Sequence, residues 1–193
     1  IYERLAKANP QAYEPALAMS YNNIANLYHY TQRLSESETM YKSALAIRER
    51  LTKANPQAYE PDLAMSYNNL ANLYYYTLRL SESETMHKSA LAIRERLAKA
   101  NPQAYEPDLA MSYNDLALLY NDTQRWAESE TMHKSALAIY ERLAKANPQL
   151  YESDLAMSYN NLANLYHNTQ RWAESETMYK SALTIRERLA KDY

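Results

Sequence analysis

Glycine is absent from all 193 residues, and so are cysteine and phenylalanine. Without glycine there is no phosphate-cradling loop of the Walker or dinucleotide-binding type. Without cysteine there is no disulfide, no thiolate metal site and no cysteine nucleophile. An excess of positive charge is missing too. Lys and Arg number 21 against 23 Asp and Glu, a formal net charge of -2, so no nucleic-acid footprint is expected. No apolar run approaches the length of a bilayer span, and no membrane partner is expected. The chain opens in mid-pattern at Ile1, without a charged start and apolar core, so no signal peptide is read there. The apolar share of 47% is that of a folded chain. Tyrosine takes the place of phenylalanine, with 20 residues.

What is present is repetition. "ANPQAYEP" starts at residues 8, 54 and 100 and returns as "ANPQLYES" at 146, so the pattern recurs every 46 residues. Residues 1–14 are the end of a preceding repeat and its loop. Four repeats follow, at 15–60, 61–106, 107–152 and 153–193. The first two differ only at positions 16, 24, 29, 32, 41 and 52 and their counterparts. Each repeat predicts two helices. The first spans 15–30, with Pro15 in its opening turn, where a missing N–H costs least. The second spans 34–53, with Ser35 as cap and Glu38 three residues on, although later repeats carry Ala127 and Ala173 at the cap. Glu38–Lys42 and Glu49–Lys53 have the spacing of ion pairs on a solvated face. Asn55 is expected to take the left-handed cap, and Pro56 cannot continue the turn.

Advancing 100° per residue aligns Leu17, Tyr21, Ile24, Ala25 and Tyr28 on one stripe of the first helix. Leu34, Ser37, Tyr41, Ala44 and Leu51 align on the second. One such hairpin cannot bury its stripe alone, whereas stacked copies can. The fold class expected is therefore all-α, a solenoid of antiparallel helix pairs.

The alternation of large and small residues resembles the tetratricopeptide repeat. Tyr21, Ile24, Ala25 and Tyr28 match its signature on the first helix, and Ser37, Tyr41 and Ala44 on the second. Departures exist. The usual unit is about 34 residues. The frequent inter-helix glycine is replaced by Gln32, Leu78, Gln124 and Gln170, and the closing proline comes late, at Pro56. "YNNLANLY" followed by "ESETMYKSALAIRERL" is similar to the long-helix, kinesin-light-chain-like branch. The extra residues are expected to lengthen both helices and the loop. The resemblance implies a right-handed α-solenoid superhelix whose first helices line a concave groove for a protein or peptide ligand.

Asparagine, a mediocre helix former, is concentrated on the face opposite the apolar stripe. In the first repeat Met19, Asn22, Asn23, Asn26, His29 and Tyr30 share an arc of roughly 120°. The second repeat places Asn68, Asn69, Asn72, Tyr75 and Tyr76 there. The third has Asn114, Asp115, Leu118, Asn121 and Asp122, and the fourth Asn160, Asn161, Asn164, His167 and Asn168. An amide offers both a donor and an acceptor, as a peptide backbone does. With first helices about 10 Å apart and an extended chain rising about 3.3 Å per residue, one repeat addresses about three residues of a bound segment. Alternatively, the amides bond one another between repeats. The face changes from aromatic in the first two repeats to acidic near Asp115 and Asp122, which fits a partner with apolar anchors at one end and Lys or Arg at the other.

No constellation of catalytic or metal-ligating residues stands out, and no cofactor or enzymatic activity is expected. His87 and His133 occupy the slot of Tyr41 and Tyr179 and read as packed side chains. Trp126 and Trp172 replace Leu34 and Leu80 and read as packing residues as well. The terminal helices repeat internal apolar stripes, so head-to-tail self-association through uncapped ends is expected. The function expected is a protein–protein interaction module that holds an extended peptide. The alternative is an architectural spacer or an engineered near-identical array.

Overall fold

The computed structural model describes residues 1–191, and among these there is no strand. The helices are α1 (Tyr2–Ala8), α2 (Pro10–Tyr30), α3 (Leu34–Ala54), α4 (Pro56–Tyr76), α5 (Leu80–Ala100), α6 (Pro102–Asp122), α7 (Trp126–Ala146), α8 (Pro148–Asn168) and α9 (Trp172–Leu189). Each helix from α2 to α8 is 21 residues long.

Two kinds of break separate them. Between successive hairpins the break is one residue, asparagine at 9, 55, 101 or 147. The expected loop is therefore replaced by helix. Asn55 has φ -147 and ψ 85, which is extended backbone and not the left-handed cap expected of it. Its side-chain oxygen accepts from the Ala58 N–H at 3.3 Å, and Asn9 and Asn101 do the same for Ala12 and Ala104. A capping amide followed by proline at the first helical position starts the next helix at once. The first helix thus begins at Pro10 and not at Pro15, which lies inside α2.

The second break is the three-residue turn within each hairpin. Here Gln32, Leu78, Gln124 and Gln170 are left-handed, with φ of 60, 59, 59 and 60. Gln32 N–H reaches the His29 carbonyl at 3.0 Å, and Arg33 N–H reaches back to Tyr28 at 2.8 Å. These bonds define a Schellman closure. Its usual apolar contact is supplied by Arg33, whose guanidinium lies 4.0 Å from the centre of the Tyr28 ring. The following helix starts from Arg33 with no side-chain cap, so Ser35 lies two residues too far along to act as one. Arg33 instead pairs with Glu36.

The chain divides into two compact units, Ile1–Arg96 and Leu97–Tyr193. In the first, α3 packs against both α2 and α4. Ala25, Tyr41, Leu70, Leu73 and Tyr74 form one buried cluster, and Ala18, Ile47 and Leu51 a second. Alanine at 18, 25, 44 and 71 has almost no accessible surface, and this is what lets the helix backbones approach. Glu38 joins the hairpins. It accepts from Lys42 and from Arg79 Nη1, each at 2.7 Å, and from the Tyr74 hydroxyl at 3.2 Å. The expected solvated pair is therefore a link to the next repeat. Likewise Glu49 accepts from the Tyr67 hydroxyl at 2.8 Å.

In the second unit α7 packs against α6 and α8, and α9 against α8. Leu137, Leu162, Leu165 and Tyr166 are buried there, with Trp126 packed on them. Trp172 is exposed, with His167 edge-on at 5.1 Å. Ile24, expected in the core, is 40% exposed, whereas Leu70, Leu116 and Leu162 at the same position are 2% exposed. At α9, Tyr179 and Leu183 are exposed where Tyr41 is buried.

Candidate functional site

The face opposite the packing stripe is open on every first helix. Met19, Met65, Met111 and Met157 are exposed in turn. Beside them Asn23, Tyr30, Asn72, Tyr75 and Tyr76 are exposed in the first unit, and Leu118, Asp122, Asn164, His167 and Asn168 in the second. Asn26, His29, Asn68, Asn69, Asp115, Asn121, Asn160 and Asn161 are half-buried. Of the methionines only Met19 is singled out by the sequence reading. The other three carry the same signal, recurrence at the repeat spacing.

Two of the expected groove amides are buried. Asn22 accepts from the Asn69 amide at 2.7 Å. Asn114 donates to Ser158 Oγ at 3.4 Å and lies 3.2 Å from His133 Nδ1. These residues tie one first helix to the next, or to the intervening second helix, and cannot also hold a ligand. Asn26 and Asn164 are partly committed, since their side-chain oxygens accept from the hydroxyls of Tyr41 and Tyr179. The amide ladder is therefore thinner than expected, and its exposed members are Asn23, Asn72, the Asn164 amide nitrogen and, at the helix end, Asn168.

Second-helix residues form the layer beneath. Arg48 is buried and donates from Nη1 to Ser66 Oγ at 2.7 Å. His87 and His133 are buried, and burial holds both imidazoles down to about 4, with the Arg94 charge adding to the effect at His87. They are neutral packing groups, as expected. His133 meets Asn114, while His87 Nδ1 and Asn68 Oδ1, the matching pair in the first unit, are both buried without a partner.

The ends of the first helices differ between units. In the first, the His29 and Tyr30 rings lie 6.3 Å apart, the Tyr76 ring meets His29 edge-on at 5.1 Å, and Tyr76 donates to Gln32 Oε1 at 2.9 Å. Tyr30 is 86% exposed. In the second, Asn121, Asp122, His167 and Asn168 hold these positions.

No group of three or more His, Asp or Glu side chains among the described residues could hold a metal ion, and no described helix is long and apolar enough to cross a membrane. Hairpins of near-identical sequence, an alanine-lined packing stripe and an open polar face define an all-α repeat solenoid. The chain belongs to the tetratricopeptide repeat family: Tetratricopeptide repeat models match residues 16–96, 109–149 and 155–192. That family mediates protein–protein interaction. No curated protein matches the sequence. Among solved structures, BtubC (BKLC) from P. vanneervenii is similar at 25% identity and a TM-score of 0.77, over 92% of this chain and 66% of that one. The apo form of RapI is similar at 15% identity and a TM-score of 0.73, over 91% and 58%. The nearly identical TPR-like repeats of a Podosopora anserina protein assigned as a kinesin light chain give 17%, 0.71, 97% and 85%. The chain thus spans less than two thirds of the length of the first two. The kinesin-light-chain-like form read from the sequence agrees with the third.

Proposed function

We propose that the chain holds an extended segment of a partner protein against the open face of its first helices. One observation carries this reading: an exposed methionine recurs in every repeat, at Met19, Met65, Met111 and Met157, beside open amides at Asn23, Asn72 and Asn164. A thioether on an unbranched stem adapts to many side chains. An amide pairs with main-chain N–H and C=O whatever the sequence. Together they suit a segment recognised largely through its backbone. Asn22 and Asn114 belong to the frame and take no part. Each amide contact contributes about 1 kcal/mol net, so the three together supply about 3 kcal/mol of the binding free energy.

The test is selection of peptides from a random displayed library on the chain, followed by fluorescence anisotropy of synthetic copies. Combined Asn23→Ala, Asn72→Ala and Asn164→Ala substitution should weaken binding at least tenfold with an unchanged melting temperature, because alanine is the better helix former. Equal affinity of the variant and the parent would refute the reading.

A further inference from the structure

All the sulfur in the chain is thioether, since there are eight methionines and no cysteine. Each repeat carries two of them, one on each helix. The first-helix set, Met19, Met65, Met111 and Met157, is 38 to 56% exposed. The second-helix set, Met40, Met86, Met132 and Met178, is half-buried. Met40 and Met86 pack against the cluster of Ala25, Tyr41, Leu70, Leu73 and Tyr74, and Met178 packs on Leu137, Leu162, Leu165 and Tyr166. Each repeat thus keeps one thioether on its open face and one nearer its frame.

A peroxide attacks a thioether wherever it can reach the sulfur. The sulfur lone pair takes one peroxide oxygen, the O–O bond breaks, an S–O bond forms and water leaves. Sulfur loses two electrons and the peroxide gains them. No thiol in the chain intercepts the oxidant, so exposure alone sets the order of attack. On a first helix the sulfoxide has two effects. It turns an adaptable apolar contact into a polar one. Its oxygen is also an acceptor beside the residue one turn on, which for Met19 is the exposed amide Asn23. The buried clusters are spared, because none of the four first-helix sulfurs belongs to them.

We propose that Met19, Met65, Met111 and Met157 are a set of reversible oxidation sites through which hydrogen peroxide releases the bound segment without unfolding the array. The inference rests on the peptide-binding reading above. Methionine sulfoxide reductases reverse the step. They remove the oxygen as water while two thiols become a disulfide. Four separate sites make the response graded, each sulfoxide removing one contact.

The experiment uses the tightest-binding peptide from the displayed library, made with fluorescein and with norleucine at any methionine. Under limited hydrogen peroxide, mass mapping of tryptic fragments should find sulfoxide on the first-helix set well before the second. Affinity should then fall about tenfold, with the melting temperature unchanged, and both reductases together should restore it. Leucine at all four first-helix positions is a volume-conserving change. Whatever the affinity of that variant, it should be the same before and after peroxide. Equal oxidation rates of the two sets, or a loss that persists in the leucine variant, would overturn the inference. If the first set oxidises and affinity holds, while combined Asn23→Ala, Asn72→Ala and Asn164→Ala substitution still weakens binding, the switch is refuted and the peptide-binding reading stands. If the library yields no binder, that reading fails and the switch with it.

Discussion

Under their open faces the two units use the same buried positions for different chemistry. In the first, Arg48 brings its own positive charge to Ser66 and Asp62. In the second, Tyr140 brings a hydroxyl into the influence of Asp108, Asp115 and Asp154. Above them, His29, Tyr30, Tyr75 and Tyr76 are answered by Asn121, Asp122, His167 and Asn168. The packing positions do not follow this divergence. Ala25, Ala71, Ala117 and Ala163 all have 0% exposure, and any larger side chain there would force two helices apart. The difference separates two tasks within one repeat. Alanines and turn arginines hold the frame, and the layer between them and the open face is free to vary.

The largest expected effect is shared by both units. His87 and His133 have folded pKa values of about 4, below the unfolded value of about 6.5. The folded state therefore binds fewer protons than the unfolded state between these values. Stability should fall as pH drops through about 6.5 and stop falling below about 4, by about 3 kcal/mol for each histidine. Urea melts from pH 7 to 4 check this. Replacing both by tyrosine, the residue at 41 and 179, should flatten the profile, and an equally steep profile in that variant would exclude the histidines as its source.

A smaller effect sharpens the contrast between units. Arg48→Met should cost about 2 kcal/mol, because it strands the buried Ser66 hydroxyl. Tyr140→Phe keeps the buried ring and strands no charge, and should cost less, about 0.5 kcal/mol. Equal losses in denaturant melts would erase the distinction. The smallest effect concerns the turns. Gln124→Gly or Gln170→Gly should raise stability by up to about 1 kcal/mol each, since φ near 60 burdens a residue with a Cβ. A lower melting temperature in either variant would contradict that account.

The helical hairpins were legible because fourfold repetition makes their period unambiguous. The open face was legible because helix geometry fixes direction once the stripe is known. The burial of Asn22 and Asn114 was not, since their partners Asn69 and Ser158 lie 47 and 44 residues away in the next repeat. The asparagine joint was misjudged because residue type favours a left-handed Asn55, whereas the following proline and the amide cap set extended backbone there. The left-handed residues are glutamine and leucine, which no type preference reveals. Burial of Arg48 and Tyr140 was not legible, because their surroundings are built by helices on either side of them in the fold and no local pattern marks either position.

The asparagine joints have a consequence for how such a chain changes over generations. At Asn9, Asn55, Asn101 and Asn147 the backbone angles agree within a few degrees, and Ala, Asn, Pro and Gln surround each in the same order. Any copy therefore ends in the form that any other needs in order to begin. Recombination between misaligned copies of the gene would add or delete whole repeats in frame and leave each new junction sound. Array length becomes a heritable variable, open to change without a new fold and without loss of the chemistry stored in each copy.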